Sequence, residues 1–212
     1  AGVDLDAAGS VQDLTGQDPR FTVDAEAEAV LDTMSTYFPD TLGLALRGTI
    51  DAALKGTVRL SQLTPQNFYR AGLDGYVRSS EISLSSPSDS IYLVLGAPSV
   101  GIASVKNKLD SGIAAGERIL ALNAGVDSLY AEIGDGMKVK MSGLGIVAQS
   151  ASKAYTEAYG KERYPVLGQV DISRLSVSGA DSLFLGTVGA KGNFKYSYRS
   201  KGDKLTPLMT LS

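Results

Sequence analysis

The chain has 212 residues, and its 23 acidic and 20 basic residues give a formal net charge of −3. It contains no Cys, no His and no Trp, which excludes disulfides, Cys- or His-ligated metal sites and a Ser-His-Asp triad. Catalysis would have to rest on carboxylates, Lys, Tyr or Ser. We therefore expect a protein that is not an enzyme and that needs no cofactor.

Residues 1–22 are predicted to form an extended acidic arm. They include Gly2, Gly9, Gly16 and Pro19 and show no periodicity. The chain opens without a basic or strongly apolar leader, so it looks mature, after either Met removal or signal cleavage. No stretch approaches the roughly 18 consecutive apolar residues of a membrane helix, and we expect no membrane span.

Residues 23–72 are predicted to be helical. Apolar residues recur at helical spacing over 23–38, with acids in the first turn and Pro39 at the end. A second helix is expected from Thr41 to Lys55, with Gly56 at its C-terminal cap. A short third helix is expected between Thr64 and Gly72, because Ser/Thr-Pro is a common helix start.

Residues 73–212 are predicted to form a β-rich domain, because apolar and polar residues alternate there with period two. Gly, Asn, Asp and Ser punctuate the gaps, as at Asn123-Ala124-Gly125. The expected strands are Tyr76–Leu84, Ile91–Leu95, Arg118–Leu122, Val126–Ile133, Met137–Met141, Val166–Ile172, Leu183–Val188, Phe194–Arg199 and Leu205–Leu211. One more helix is considered at 147–159.

The order of these elements predicts an α+β fold, with a helical N-terminal third followed by mostly antiparallel β-sheets. Consecutive strands joined by short turns favour antiparallel pairing over a parallel sheet alternating with helices. A sandwich or a barrel-like arrangement would satisfy this pattern.

Three local motifs are better explained by structure than by chemistry. Gly143-Leu144-Gly145 resembles a dinucleotide-binding glycine pattern, but the strand before it alternates apolar and cationic residues, so a glycine-permitted bend is expected. Ser150-Ala151-Ser152-Lys153 matches the nucleophile motif of penicillin-recognising enzymes without its companion motifs, and an exposed polar turn is expected. Asp4-Leu5-Asp6 lacks the spaced ligands of a cation loop.

The two ends of the chain carry opposite charge. Residues 1–40 hold nine acids against Arg20 alone, and residues 191–212 hold five bases against Asp203. Two solvated ends are one interpretation, and complementary ends that meet within a chain or between copies are the other. On the second interpretation, the candidate assembly contacts are Asp4, Asp6, Asp13, Asp18, Lys195, Tyr196, Tyr198 and Arg199.

The segment Phe194–Arg199 alternates aromatic and polar or cationic residues most regularly. Aromatic residues beside cations suit single-stranded nucleic acid, but the chain is mildly acidic and has no long basic stripe. A strand whose aromatic side packs on a core or on a partner is the preferred interpretation, and nucleic acid is not an expected partner.

Residues 109–172 resemble the structural proteins of tailed-phage virions, particularly small β-rich cement or decoration proteins of the capsid. The resemblance rests on Ser111-Gly112-Ile113-Ala114-Ala115-Gly116-Glu117-Arg118-Ile119, on Gly143-Leu144-Gly145-Ile146-Val147-Ala148-Gln149 and on Gly168-Gln169-Val170-Asp171-Ile172. It covers about a third of the chain. It implies self-assembly or lattice binding, with no catalytic residues.

The sequence therefore predicts a non-enzymatic structural subunit of a large assembly, most plausibly a virion. Its partners would be copies of itself or another virion protein, and its location the virion or otherwise an extracytoplasmic compartment. The alternative is a secreted or periplasmic binding module for a small or apolar ligand of unknown identity. An enzyme using Ser-Lys or carboxylate chemistry is a third hypothesis, which would place Lys153 in a cleft.

Overall fold

The computed structural model describes residues 2–34, 43–64, 67–106, 118–134, 136–150, 162–179, 184–201 and 204–212. Within them the chain is nearly all β. The strands are β1 (Val3–Gln12), β2 (Arg20–Val30), β3 (Ala45–Arg59), β4 (Gly72–Arg78), β5 (Glu81–Ser86), β6 (Ile91–Gly96), β7 (Ser99–Lys106), β8 (Arg118–Ile133), β9 (Met137–Ser150), β10 (Glu162–Ser178), β11 (Phe184–Lys201) and β12 (Lys204–Leu211). One short helix, α1 (Leu31–Met34), and the 3₁₀ turns Leu60–Gln62 and Phe68–Arg70 complete the described elements.

All described strands belong to one antiparallel sheet, and they follow one another almost in chain order. The order is β1-β2-β3-β4-β7-β8-β9-β10-β11-β12, with β5 between β3 and β6, and β6 between β5 and β8. β4 and β5 lie end to end along β3, and β6 and β7 lie end to end along β8. The Ser79 N–H donates to the Pro98 carbonyl (3.0 Å) and the Ala97 N–H to the Ser80 carbonyl (2.8 Å), which bridges the two interruptions. The sheet is therefore a meander of long strands.

The predicted helix at 23–38 is wrong, because residues 20–30 form β2. Asp24, Glu26 and Glu28 alternate with small apolar residues, and this period-two pattern places the acids on one face and the alanines on the other. The helical spacing was read from the larger apolar residues of the segment, such as Val23, Val30 and Met34, which are several positions apart. Only Leu31–Met34 is helical in the described part of this segment, and residues 35–38 lie outside it.

The predicted helix from Thr41 to Lys55 is also wrong, because Ala45–Arg59 is β3. Gly43 and Gly48 have φ values of 54° and 125°, which no α-helix accommodates. Leu46, Ile50 and Leu54 are separated by even numbers, so they fit a strand face as well as a helix face. The fold is consequently not α+β, and there is no helical N-terminal third.

The expected third helix is a 3₁₀ turn at Phe68–Arg70, and residues 65 and 66 lie outside the described ranges. The antiparallel pairing expected for the later strands is present, but the expected strand Tyr76–Leu84 is divided between β4 and β5, and several of the others are longer than predicted. Arg118–Leu122 and Val126–Ile133 belong to one strand, β8. Of the expected strands Leu183–Val188 and Phe194–Arg199, residues 184–188 and 194–199 belong to β11, and residue 183 lies outside the described ranges. Residues 147–150 of the considered fourth helix end β9, while residues 151–159 lie outside the described ranges.

A small core forms where residues 60–64 and 67–71, here named the end cap, cover one end of the sheet. Ala71, Leu73 and Leu120 are buried there, and the partly buried Val23, Val58 and Ile102 pack against them. Hydrogen bonds fix the cap: the Gln62 side chain accepts from the Arg59 N–H (2.8 Å) and donates to the Arg70 carbonyl (2.9 Å). The end cap thus crosses from β3 towards β8.

The rest of the sheet has little cover among the described residues. The accessible surface is 13410 Å². A compact monomer of 22.1 kDa would expose about 9,300 Å². The described strands hydrogen-bond into a single sheet, and the described residues form no second sheet. The large surface agrees with a sheet whose side chains are mostly half-buried or exposed.

We expect Gly56→Ala to destabilise the fold by about 1–3 kcal/mol. Gly56 has a φ of 149°, and an added Cβ would overlap the backbone of Gly72 on the neighbouring strand. Gly145→Ala is the matched control, since nothing lies within 4 Å of its added Cβ, and we expect a change below about 0.5 kcal/mol. Urea unfolding measures both. Equal effects of the two substitutions would contradict the close approach at Gly56.

Candidate functional site: an apolar face of the sheet

The strand register aligns apolar residues into two adjacent rows that cross the sheet. Residues directly opposite each other in neighbouring strands share a face, as do residues two apart in one strand. The first row is Leu5-Ala27-Ala52-Val77-Val100-Ala124-Ile146-Val170-Gly192. The second is Ala7-Ala25-Leu54-Gly75-Ile102-Leu122-Ala148-Gly168-Phe194-Leu211. We call these two rows the apolar face.

The rows on the opposite side of the same strands are mostly polar or charged. One is Asp4-Glu28-Asp51-Arg78-Ser99-Gly125-Gly145-Asp171-Lys191, and the other is Asp6-Glu26-Ala53-Tyr76-Gly101-Asn123-Val147-Gln169-Asn193. Acids dominate at β1 and β2. Lys191 lies 3.1 Å from Asp171 at the other end. The polar side of the sheet is therefore suited to contact with water.

Much of the apolar face is exposed. Leu5 is 67% exposed, Val77 48% and Val100 46%. Gly168 alone among the residues of the two rows is buried, and the ring of Phe194 lies where its Cβ would be. A monomer rarely exposes so continuous an apolar surface unless something binds to it.

A recess of about 310 Å³ lies within the apolar face across β1, β2, β3, β4 and β7. Small residues line part of it, because Ala27 lies opposite Ala52 in the first row and Gly75 lies in the adjacent second row. Leu5, Leu54, Val77, Val100 and Ile102 also line it. The end cap closes the sheet beyond Leu73, so the recess is open along the face and bounded at that end.

The predicted assembly contacts of the acidic segment are divided between a strand and a turn. Asp4 and Asp6 lie in β1 opposite Glu28 and Glu26, on the polar side. Asp13 lies in the turn after β1 with a φ of 60°, and its carbonyl accepts from the Gly16 N–H at 2.9 Å. The strand keeps Asp4 and Asp6 in a solvated acidic patch. Whether they contact a partner stays a prediction.

Asp18 holds the turn after β1 against the end cap. Its carboxylate accepts the Ser61 N–H (2.8 Å) and the Ser61 hydroxyl (3.0 Å), and Arg59 lies 3.7 Å away. The hydrogen bond from the Ser61 backbone, helped by the hydroxyl and by Arg59, lowers the pKa of Asp18 below its ordinary value of 3.8. Asp18 therefore has partners within its own chain.

The predicted basic contacts lie in β11. Lys195 is opposite Leu167 and Thr210, and Tyr196 is opposite Val166 and Met209. Neighbouring strand residues point to opposite sides, so these two side chains do not form one patch. Tyr198 and Arg199 are placed in β11 by their backbones, and their side chains lie outside the described residues. In the sheet, β1 and β12 are the opposite end strands, so the two oppositely charged segments are not paired with each other.

The described residues contain no group of three or more acids that could hold a metal ion. The Tyr130 hydroxyl donates to Glu132 (2.8 Å), and this hydrogen bond raises the pKa of Tyr130, which keeps it protonated near neutral pH. Lys153 of the Ser-x-x-Lys motif lies outside the described residues. None of the described helices is long and apolar enough to cross a membrane.

The chain matches no protein-family profile, no curated protein and no solved structure. The resemblance of residues 109–172 to tailed-phage virion proteins therefore stays a prediction. The apolar face was missed in the sequence, although the alternation of Phe21, Val23, Ala25, Ala27 and Ala29 with polar residues carries its signal. This period-two signal was overlooked because alanine and glutamate, which are frequent in the segment, favour helices.

We expect Asp18→Asn to destabilise the fold at pH 7, because the charged acceptor of the Ser61 hydrogen bonds is lost. Since the folded-state pKa of Asp18 is lowered, its stabilisation is complete above the ordinary value of 3.8 and disappears as the pH falls through the folded-state value. The thermal unfolding midpoints of the unmodified protein and of the Asp18→Asn variant should therefore converge in acid. Ser61→Ala is the control. It removes only the hydroxyl donor, so Asp18 still accepts the backbone N–H and most of its pH-dependent stabilisation should remain. A gap that persists unchanged at low pH would contradict this role.

Proposed function

We propose that the protein binds an elongated apolar ligand, of the hydrocarbon-chain type, along the apolar face. The observation that carries the proposal is the alignment of two unbroken apolar rows from β1 to β11 or β12, with large side chains half exposed. This function corresponds to the apolar-ligand alternative from the sequence.

The dimensions of the apolar face favour a long and narrow ligand. Neighbouring strands are about 4.8 Å apart, so a row across ten strand positions extends about 43 Å along a flat sheet. The two rows are about 7 Å apart, since they are separated by two residues in each strand. A single hydrocarbon chain has this shape, and the recess at Ala27, Ala52 and Gly75 would hold part of it.

The energetics of such binding depend on chain length. Each methylene removed from water contributes about 0.8 kcal/mol. The strands are already fixed by their ladders, so binding requires little ordering of the backbone. Affinity should therefore rise with the number of carbons that lie on the apolar face.

A structural role in a large assembly is the second candidate. It is favoured by the end strand β1, since β1 pairs only with β2 in the described sheet. An unpaired edge presents backbone donors and acceptors to other strands. This candidate predicts particles or polymers of the purified protein, whereas ligand binding requires none.

Ala52→Lys is expected to weaken binding of a dansyl-labelled undecanoic acid by at least about tenfold, because it places a charge in the apolar recess. Ala53→Lys is the matched control: Ala53 is the next residue of β3 and also borders the recess, but its side chain lies opposite Glu26 on the polar side, so we expect a change below about twofold. Fluorescence titration gives both dissociation constants, and circular dichroism checks that both variants keep their strands.

Competition extends this test to chain length. Unlabelled fatty acids with longer chains should displace the probe at lower concentrations. Absence of probe binding, or equal loss in the Ala52→Lys and Ala53→Lys variants, would contradict the proposed site.

A further inference from the structure

Among the described strands β1 pairs only with β2, and its other edge, here called the open edge, is a continuous row of backbone donors and acceptors. The Val30 N–H donates to the Gly2 carbonyl (2.7 Å), and in an antiparallel pair the hydrogen-bonded positions alternate. Even-numbered residues of β1 therefore bond to β2. The N–H and C=O groups of Val3, Leu5, Ala7, Gly9 and Val11 point to the open edge, and none of these residues is proline.

The open edge of β12 is different. Asn193 and Ser212 exchange hydrogen bonds of 2.8 and 3.0 Å, so alternation turns the backbone of Leu211, Met209 and Pro207 outwards. Pro207 has no N–H, and proline at an outward position protects an edge strand against pairing. The two edges of the sheet are therefore not equivalent, and β1 is the one that accepts a strand.

We propose that β1 pairs with β1 of a second copy in an antiparallel arrangement centred on Ala7. Ala7 then lies opposite Ala7 of the partner subunit, and Leu5 lies opposite Gly9 of the partner subunit. The outward backbone groups of both strands bond to each other, and a two-fold axis perpendicular to the sheet relates the copies.

The side chains of β1 fit this arrangement on both faces. Asp4 lies opposite Ser10 of the partner subunit, and Asp6 lies opposite Ala8 of the partner subunit, so no acid lies directly opposite an acid. The two Asp6 residues are diagonal neighbours, about 7–8 Å apart. A parallel arrangement in register would set Asp4 and Asp6 beside the same acids, which is destabilising. On the other face, Val3, Leu5 and Ala7 meet only apolar residues or glycine. The charge pattern therefore selects the antiparallel pair.

The pairing would also extend the binding surface. Leu5 lines the recess and lies on the open edge strand, and Gly9 of the partner subunit would stand beside it on the same face. The apolar rows of the two copies would run on into each other. The dimer goes beyond the proposed ligand binding and does not depend on it, so dimerisation and binding of the labelled fatty acid fail separately.

A cysteine cross-link tests the register, and the chain has no Cys of its own. Opposed residues of a hydrogen-bonded pair have Cα atoms about 5.5 Å apart, within the range of a disulfide. Ala7→Cys should therefore form a covalent dimer with oxidised glutathione. Ser10→Cys is the control on the same strand, since its copies would be about 20 Å apart in this register. Cross-linking of Ser10→Cys at the same rate as Ala7→Cys would overturn the register.

Proline substitution tests the edge itself by sedimentation equilibrium of the unmodified chain. Ala7→Pro removes an outward N–H without removing a bond to β2, and the dimer dissociation constant should rise at least about tenfold. Met209→Pro removes an outward N–H from the open edge of β12 and should leave the dimer dissociation constant unchanged. A monomer at every concentration, or a dimer that Ala7→Pro does not weaken, would overturn the proposal. So would a dimer that Met209→Pro weakens equally.

Discussion

The constant register of the antiparallel ladder across the apolar face is the constraint on which the surface chemistry of this protein depends. Side chains alternate with period two, so a slip of one residue would move a whole strand's apolar set to the other side. β1, β2 and β3 pair without a register shift, and Ala25 and Ala27 therefore stay in line with Leu54 and Ala52. The same alignment keeps Glu26 and Glu28 on the water side. One geometric rule thus separates the apolar rows from the charged rows.

The sequence predicted the later strands because their alternation uses residues that favour strands, as in Met137–Met141 and Phe194–Arg199. It failed in residues 23–55 because alanine, glutamate and leucine there have strong helix propensity, and tertiary pairing overrides propensity. The spacing of Leu46, Ile50 and Leu54 is compatible with both periods, and the deciding signals were Gly43 and Gly48. The apolar recess depends on which residues face each other across strands, and a register of this kind is not visible in a single segment. The pairing of Asp18 with Ser61 spans 43 residues and is hidden for the same reason.

Stability in this architecture comes mainly from strand pairing and from the end cap. Apart from Pro19 and Gly168, only seven apolar residues are buried in the described chain, and Ala71, Leu73 and Leu120 form the core beneath the cap. Hydrogen-bonded strands without a second layer leave apolar side chains in water, which has an unfavourable free energy in proportion to their exposed area. The exposed rows are therefore the part of the molecule that gains most from contact with another apolar surface.

Two directions of contact are open to such a sheet, and they do not compete. A ligand on the apolar face contacts side chains perpendicular to the sheet, such as Val77 and Val100. A strand added at β1 contacts backbone groups within the plane of the sheet and leaves those side chains uncovered. In-plane pairing would lengthen the apolar rows without covering them, because both copies present the same face when the two-fold axis is perpendicular to the sheet. The proline at position 207 on the other edge stops this growth in one direction. A closed pair with a longer apolar face is therefore consistent with both the binding surface and the unequal edges.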